Sequence, residues 1–309
     1  MVVDLSPSKN PGAGGVRIVV TGRFGQVAQS LREKAAGRSD VELVMLGRPE
    51  LDLARPDIVR APLCDARPDI VVSAAAYTAV DQAEDEADLA YTINVKGAEA
   101  VALAARECNA PIIHLSTDYV FSGSSPERYT EDDAPGPPNV YGKSKLEGER
   151  FVAEAHPQHV ILRTSWVYSP FGRNFVKTML RLAEERASVS VVSDQWGNPT
   201  SALDLAEAIL RVAERLHGNE PPVHGSYHLA GADPINWSGF ARAIFGISDE
   251  FGGPRAKVAD VLTRDFPTKA LRPQNSRLGC EKFKAAFGFE LPGWKTSLRP
   301  VVQRLLNTR

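Results

Sequence analysis

Short apolar runs alternate with segments of helical period through the first half of the chain. Residues 16–20 form an apolar run, and a Gly-rich turn then leads into a helical pattern over 26–36. Val41–Leu46, 69–73, 112–115 and 160–164 are further runs of strand length. Between them, 56–65 is a short helical segment opening on proline, 80–109 is a long one ended by Asn109 and Pro111, and 140–154 is a third. Strands alternating with helices predict βαβ units and an α/β, doubly wound parallel sheet. Beyond Trp166 the elements shorten, separated by the turn-rich stretches 169–173, 196–200 and 231–237. The expected organisation is a leader over 1–15, a first domain over 16–165 and a smaller second domain over 166–309. A strand near Tyr227 is expected to rejoin the sheet, so that a segment around 225–250 completes the first domain.

Composition narrows the class. The 309 residues are 43% hydrophobic and 24% charged, which suits a soluble globular chain. A chain this long buries roughly 75% of its unfolded surface, so it needs no metal or disulfide staple. The formal charge of -2 supplies no basic field for nucleic acid or anionic lipid, so any bound anion requires a local site. The apolar stretch 70–80 stops at Asp81, short of the roughly 18 residues of a membrane span. Since the leader lacks a signal-peptide core, a cytoplasmic protein with no membrane contact is expected. Cys64, Cys108 and Cys280 are an odd, widely spaced set that reads as reduced, buried small hydrophobes. The six histidines show no zinc spacing, so no metal ligands are assigned; His156 and His159, beside Pro157, are expected on the surface. Asp81, Glu84, Asp85, Glu86 and Asp88 read as a solvated helix start.

Two segments carry chemistry. Thr21-Gly22-Arg23-Phe24-Gly25-Gln26-Val27-Ala28 follows a strand and opens a helix. Gly22 permits the tight turn, Gly25 lets a pyrophosphate approach the backbone, and Ala28 lets the helix pack on the sheet, the arrangement of a Rossmann dinucleotide site. The acidic residue such a site usually carries after its second strand is replaced by Leu46-Gly47-Arg48-Pro49. Arg48 suits a 2′-phosphate, so NADPH is the expected coenzyme, with NADH possible. The second segment is Tyr141-Gly142-Lys143-Ser144-Lys145, which sets Tyr141 and Lys145 on one helix face. A neighbouring ammonium lowers a phenol's pKa, so the expected pair is Tyr141 as proton donor and Lys145 as its partner. Ser116 or Thr117, at a strand's carboxyl end, is expected to bond a substrate oxygen beside Tyr141.

From Val16 onward the chain resembles the dTDP-4-dehydrorhamnose reductase family of the extended short-chain dehydrogenase/reductase superfamily. The matching motifs are Gly22-x-x-Gly25-Gln26-Val27, Ala74-Ala75-Ala76-Tyr77-Thr78-Ala79-Val80-Asp81 and Ser116-Thr117-Asp118-Tyr119-Val120-Phe121. They continue in Asn139-Val140-Tyr141-Gly142-Lys143-Ser144-Lys145, Arg163-Thr164-Ser165-Trp166-Val167-Tyr168, Asp194-Gln195-Trp196-Gly197-Asn198-Pro199-Thr200 and Arg272-Pro273-Gln274-Asn275-Ser276-Arg277-Leu278. The resemblance implies that NAD(P)H reduces the C4 keto group of dTDP-4-dehydro-β-L-rhamnose to give dTDP-L-rhamnose. It implies Tyr141, Lys145 and Thr117 as catalytic residues, with Lys145 also on the nicotinamide ribose. Asp52 and Leu53 would flank the adenine, Ala76, Tyr77 and Thr78 would line the coenzyme groove, and Thr117, Asp118 and Trp166 would touch the sugar. Arg277 is a further candidate for gripping the diphosphate. Some family members are magnesium-bridged dimers; with no ligand cluster in this sequence, a structural magnesium and a homodimer are left open. Two other readings share the fold: another nucleotide-sugar 4-ketoreductase, and a non-catalytic regulatory subunit of methionine adenosyltransferase type. A sugar 4,6-dehydratase is disfavoured because Tyr119 stands where that enzyme needs a glutamate. Trp196 and Trp237 are assigned no role.

Arg48→Ala is expected to raise the Michaelis constant for NADPH several-fold and leave that for NADH unchanged. An unaltered ratio would remove Arg48 from coenzyme selection.

Overall fold

A computed structural model describes residues 15–218, 221 and 223–308; the expected leader lies outside them apart from Gly15. In chain order the first half holds β1 (Val16–Thr21), α1 (Gln26–Ala35), β2 (Val41–Leu46), α2 (Arg60–Asp65), β3 (Ile70–Ser73), α3 (Val80–Ala83), α4 (Ala87–Tyr91), α5 (Ala98–Glu107), β4 (Ile112–Thr117), α6 (Val140–Ala155) and β5 (His159–Thr164). The second half holds β6 (Val167–Tyr168), α7 (Phe175–Glu185), β7 (Ser188–Val192), β8 (Trp196–Gly197), β9 (Thr200–Ser201), α8 (Ala202–His217), β10 (Gly225–His228), β11 (Ile235–Asn236), α9 (Trp237–Glu250), β12 (Lys257–Val261), α10 (Glu281–Phe287) and α11 (Trp294–Asn307).

The central sheet has six strands in the order β10-β5-β4-β3-β1-β2, and every pairing in it is parallel. Val, Ile and Leu fill β1, β3 and most of β4 because a parallel sheet covered on both faces buries both sides of each strand. Ile18, Val20, Leu31, Leu205 and Ile209 form the core under α1 and α8; Leu63, Val71, Val101, Ala105 and Val152 form the one under α2, α5 and α6. A separate core of Val176, Leu180, Phe240, Ile244, Leu298 and Val302 holds the second-half elements together. Since all six strands run the same way, Thr21, Ser73, Thr117 and Thr164 emerge along one carboxyl edge, where open α/β sheets bind ligands. β10 reaches that sheet from the second half, pairing Gly225 with Val160 and His228 with Arg163.

Four expectations are corrected. The 80–109 segment is three helices and a π-helical stretch, Thr92–Gly97, rather than one helix. Its first break falls at Glu84, whose carboxylate leaves the helix to accept from the Val140 amide at 2.8 Å; the π turn swings the Asn94 amide inward to bond Tyr77. The acidic run is a docking face, not simply a solvated one. Asp81 holds the Arg272 guanidinium through two bonds of 2.8 and 2.9 Å and accepts from the Ala270 amide, and Asp85 pairs with Lys269. His156 is buried: it ends α6 with its ring folded inward, Nε2 donating to the Ala110 carbonyl at 2.9 Å and Nδ1 accepting from the Gln158 amide. The three cysteines are only half-buried thiols, and the sulfurs of Cys64 and Cys108 lie 2.7 Å apart where α2 meets the end of α5. Among the described residues no helix is long and apolar enough to cross a membrane.

Helix α6 owes its position to small residues. A Cβ on Gly148 would overlap the Asn94 carbonyl oxygen, which belongs to backbone that cannot step aside. Gly148→Ala is therefore expected to cost about 1–3 kcal/mol in urea denaturation. An unchanged midpoint would mean that α6 and the π turn can separate freely.

Candidate active site

The loop between β1 and α1 forms an open cradle. Gly22 has φ +101°, a conformation that a side chain would strain. Gly25 caps α1 without a side-chain hydrogen bond to the first turn, and a Cβ built on it meets nothing within 4 Å. The first amides of α1 thus face open space with no side chain competing for them, which fits a phosphate. Ala28 is buried against the sheet, as its place in the motif requires. Gln26 is engaged elsewhere: its Nε2 donates to the Val167 carbonyl at 3.2 Å, and its Oε1 accepts from Ser169 at 2.9 Å and Asn174 at 3.0 Å. Only the backbones of Gln26 and Val27 remain for a coenzyme.

The other groove residues line the same edge. At the end of β2, Arg48 is exposed, while Arg23 pairs with Glu50 at 2.8 Å and donates to the Met45 carbonyl at 3.3 Å. Leu53 is buried beside Asp52, whose carboxylate accepts from the Ala54 amide at 3.0 Å. After β3, the amides of Ala74 and Ala75 bond the Thr21 hydroxyl at 3.1 and 3.2 Å, which leads the chain into Ala76, Tyr77 and Thr78. Asn94 pins Tyr77 from below. Its Oδ1 accepts the Tyr77 amide at 2.8 Å, while its Nδ2 donates to the Tyr77 carbonyl at 3.1 Å and the Ser144 hydroxyl at 3.0 Å. The Tyr77 phenol turns away to Glu86 at 2.8 Å, and Thr78 is exposed.

Helix α6 begins at an Asn139 side-chain cap that accepts from the Gly142 amide at 2.7 Å, placing Tyr141 in the first turn. Gly142 abuts the Tyr119 carbonyl so closely that a Cβ would overlap it. Tyr141 is half-buried, with the Tyr119 ring edge-on at 5.8 Å. Burial pushes it up to about 12; the Thr117 hydroxyl pulls the other way and Asp118 adds to the rise. This reverses the expected lowering by Lys145. The ammonium instead donates to the Leu115 carbonyl at 2.7 Å and to His114 Nε2 at 3.4 Å, and burial brings it down to about 8 against the pull of Glu149.

The two hydroxyls at the end of β4 part company. Ser116 donates to Glu149, which forms a buried, two-pronged ion pair with Arg163 at 2.7–3.2 Å. That leaves Thr117 on the site side, bonded to Asp118 Oδ1 at 3.0 Å. Burial raises the Asp118 carboxyl to about 7, and its Oδ2 has no partner. The second half contributes Trp166, held in the left-handed region at φ +46° and stacked on Trp237 at 3.4 Å with the rings 5° apart. Arg277 is engaged locally, with Nε donating to Asn275 Oδ1 at 2.7 Å and Nη2 to the Pro126 carbonyl. Among the described residues no three His, Cys, Asp or Glu side chains form a metal cluster.

Sequence reasoning missed His114, Asn94, the Glu149–Arg163 pair and Trp237. A signal existed for Glu149, which lies one helical turn beyond Lys145 on the same face. None marked the others, whose partners lie on separate elements.

The model of the RmlD substrate binding domain family matches residues 16–307. A dTDP-4-dehydrorhamnose reductase of Sinorhizobium fredii is 50% identical over 292 residues, covering 94% of this chain and 98% of that one. Among solved structures, a dTDP-4-dehydrorhamnose reductase from Clostridium acetobutylicum matches with a TM-score of 0.87 at 36% identity, covering 94% of this chain and 100% of its own. One from Bacillus anthracis in complex with NADP matches at 0.86 and 36%, covering 96% and 100%.

The Asp118 carboxyl sets a pH dependence. The unfolded chain gives up this proton near 3.8 and the native protein near 7, so Asp118 lowers stability progressively as pH rises between those values. Asp118→Asn is expected to gain on the wild type between pH 5 and pH 8, by on the order of 2–3 kcal/mol in denaturant melts. A gain that is the same at both pH values would mean the carboxyl is ionised throughout.

Proposed function

The chain belongs to the dTDP-4-dehydrorhamnose reductase family, and from that premise we propose that it reduces the C4 keto group of dTDP-4-dehydro-β-L-rhamnose, with NADPH as preferred coenzyme and Tyr141 as proton donor. The observation that carries this reading is the half-buried Tyr141 at the start of α6, on the same helix as the buried Lys145 that is bonded to β4, beside the open β1–α1 cradle. Three features support a dinucleotide there: Gly25 opens α1 with no side chain capping its first amides, Arg48 is exposed after β2 as a partner for a 2′-phosphate, and 76–78 follow β3 at the same carboxyl edge as a wall for the coenzyme. The coenzyme supplies the hydride that adds to C4.

The protein's part is the proton and the fit. Addition at C4 builds negative charge on the keto oxygen, which a positioned phenol neutralises by giving up its proton. Burial suits Tyr141 to the reductive direction because it keeps the phenol protonated until that charge develops. Thr117 orients the keto oxygen, and Lys145 stabilises the phenolate left behind and holds the nicotinamide ribose. Asp118 offers its unpartnered oxygen to the sugar, and Trp166 gives the ring a flat wall. The half of the chain beyond Trp166 is the substrate-binding part, with Arg277 toward the diphosphate.

The test is oxidation of NADPH by the purified chain supplied with the dTDP-keto-sugar. Tyr141→Phe is expected to lower kcat on the order of a hundredfold or more while NADPH binding, followed by fluorescence, stays near wild type. Full turnover by that variant would refute the assignment of the donor, and no turnover by the wild type would refute the activity.

A further inference from the structure

Behind Lys145 lies a polar chain that the reaction scheme above does not use. His114 on β4 is 1% exposed and sits in register with Ser73 of β3. Its Nδ1 is 3.1 Å from the Ser73 hydroxyl, and its Nε2 is 3.4 Å from the Lys145 ammonium. Lysine can only donate, so Nε2 must accept; a neutral imidazole then carries its hydrogen on Nδ1 and donates it to Ser73. Burial, reinforced by Lys145 and His159, holds the imidazole well below its ordinary value, which favours the neutral ring at neutral pH.

We propose that His114 is a positioning residue for Lys145, its Nε2 and the Leu115 carbonyl together fixing the ammonium so that the third N–H is left for the ligands of the carboxyl edge. The proposal deepens the reading of Lys145 as partner of Tyr141 and rests on it. Ser73 supports that tautomer, since its hydroxyl accepts the Nδ1 hydrogen that would otherwise be buried with no partner. Without it the ring can place its hydrogen on Nε2, and a donor would then face the ammonium.

The consequence is a shift in titration. An acceptor stabilises the ammonium over the neutral amine, so removing it lowers the pKa of a lysine that burial has already brought to about 8. Other groups face the same space. Glu149 lies one turn along α6 and is engaged by Arg163 of β5 and Ser116 of β4. Tyr141 precedes Lys145 by one turn, Asp118 and Tyr119 lie on the 3-10 turn after β4, and His159 of β5 acts on His114. None of them is altered by the substitutions below, so a moved titration reports the His114 contact.

The test is the pH profile of kcat for the full chain with NADPH and the dTDP-keto-sugar, alongside thermal melts. His114→Met, which removes the acceptor, is expected to lower kcat about tenfold and to move the alkaline fall down by about half a pH unit or more. His114→Gln, which restores an acceptor, is expected to return the fall to its wild-type position and kcat to within about threefold. Should His114→Met fail to fold, Ser73→Ala carries the test and is expected to move the same limb in the same direction. Lys145→Met separates the two claims. If it turns over like the wild type, the reading of Lys145 itself is wrong. If it is inactive while His114→Met, or Ser73→Ala in its place, lowers only the melting temperature and leaves the alkaline limb unmoved, His114 is structural and the proposal is overturned.

Discussion

An ammonium group with 3% of its residue exposed has left water behind, and the protein has to supply the solvation it lost. For Lys145 the supply is the Leu115 carbonyl at 2.7 Å and the His114 imidazole, both on β4. That requirement ties α6 to the strand beneath it and so determines where Tyr141, one turn earlier, stands relative to Thr117. The helix reaches this depth because its lower face is small and polar in the right places. Gly142 admits the Tyr119 carbonyl, Gly148 admits the Asn94 carbonyl, and Ser144 between them receives the Asn94 amide. The same Asn94 grips Tyr77, so one side chain couples the segment after β3 to α6.

Around that contact the two halves of the chain interleave. β10 returns to pair with β5, and the Leu229 amide continues the ladder onto the Arg163 carbonyl at 2.8 Å. The segment 269–272 straps across the first half, with Arg272 on Asp81 and the Leu271 carbonyl accepting from Asn139, the residue that caps α6. Trp166 leaves β5 in a strained conformation that its stack on Trp237 holds in place. One buried ion pair lies behind Ser116, where Glu149 and Arg163 neutralise each other, and breaking such a pair typically costs about 3–5 kcal/mol. A net charge of -2 therefore conceals a site whose electrostatics are local.

Much of the sheet was legible because burial on both faces demands continuous Val and Ile runs, and those runs stand out in β1, β3 and β4. Even β10 was anticipated near Tyr227, although it is only four residues long. The Gly-rich loop and the Tyr141–Lys145 spacing were legible for the same reason: local backbone geometry dictates which residues can occupy them. What escaped was decided by contacts between distant segments. The helix break at Glu84 depends on the Val140 amide, 56 residues later, and the π turn on a bond from Asn94 to Tyr77. The strand's residues alone left Ser116 and Thr117 equal, and the resemblance implied Thr117; that Glu149 takes the serine hydroxyl could be seen only in the fold. Lys145 was expected to lower the Tyr141 pKa because the two share a helix face, yet desolvation raises the phenol and the ammonium turns to the Leu115 carbonyl.

The central claim is that this edge delivers hydride and proton to a sugar C4 keto group. It is tested most directly by supplying NADPH deuterated at the reactive nicotinamide carbon together with dTDP-4-dehydro-β-L-rhamnose and locating the label in the product by mass spectrometry and NMR. The account predicts deuterium bonded to C4 of the sugar. Coenzyme oxidation without deuterium at C4, or label at another carbon, would contradict it.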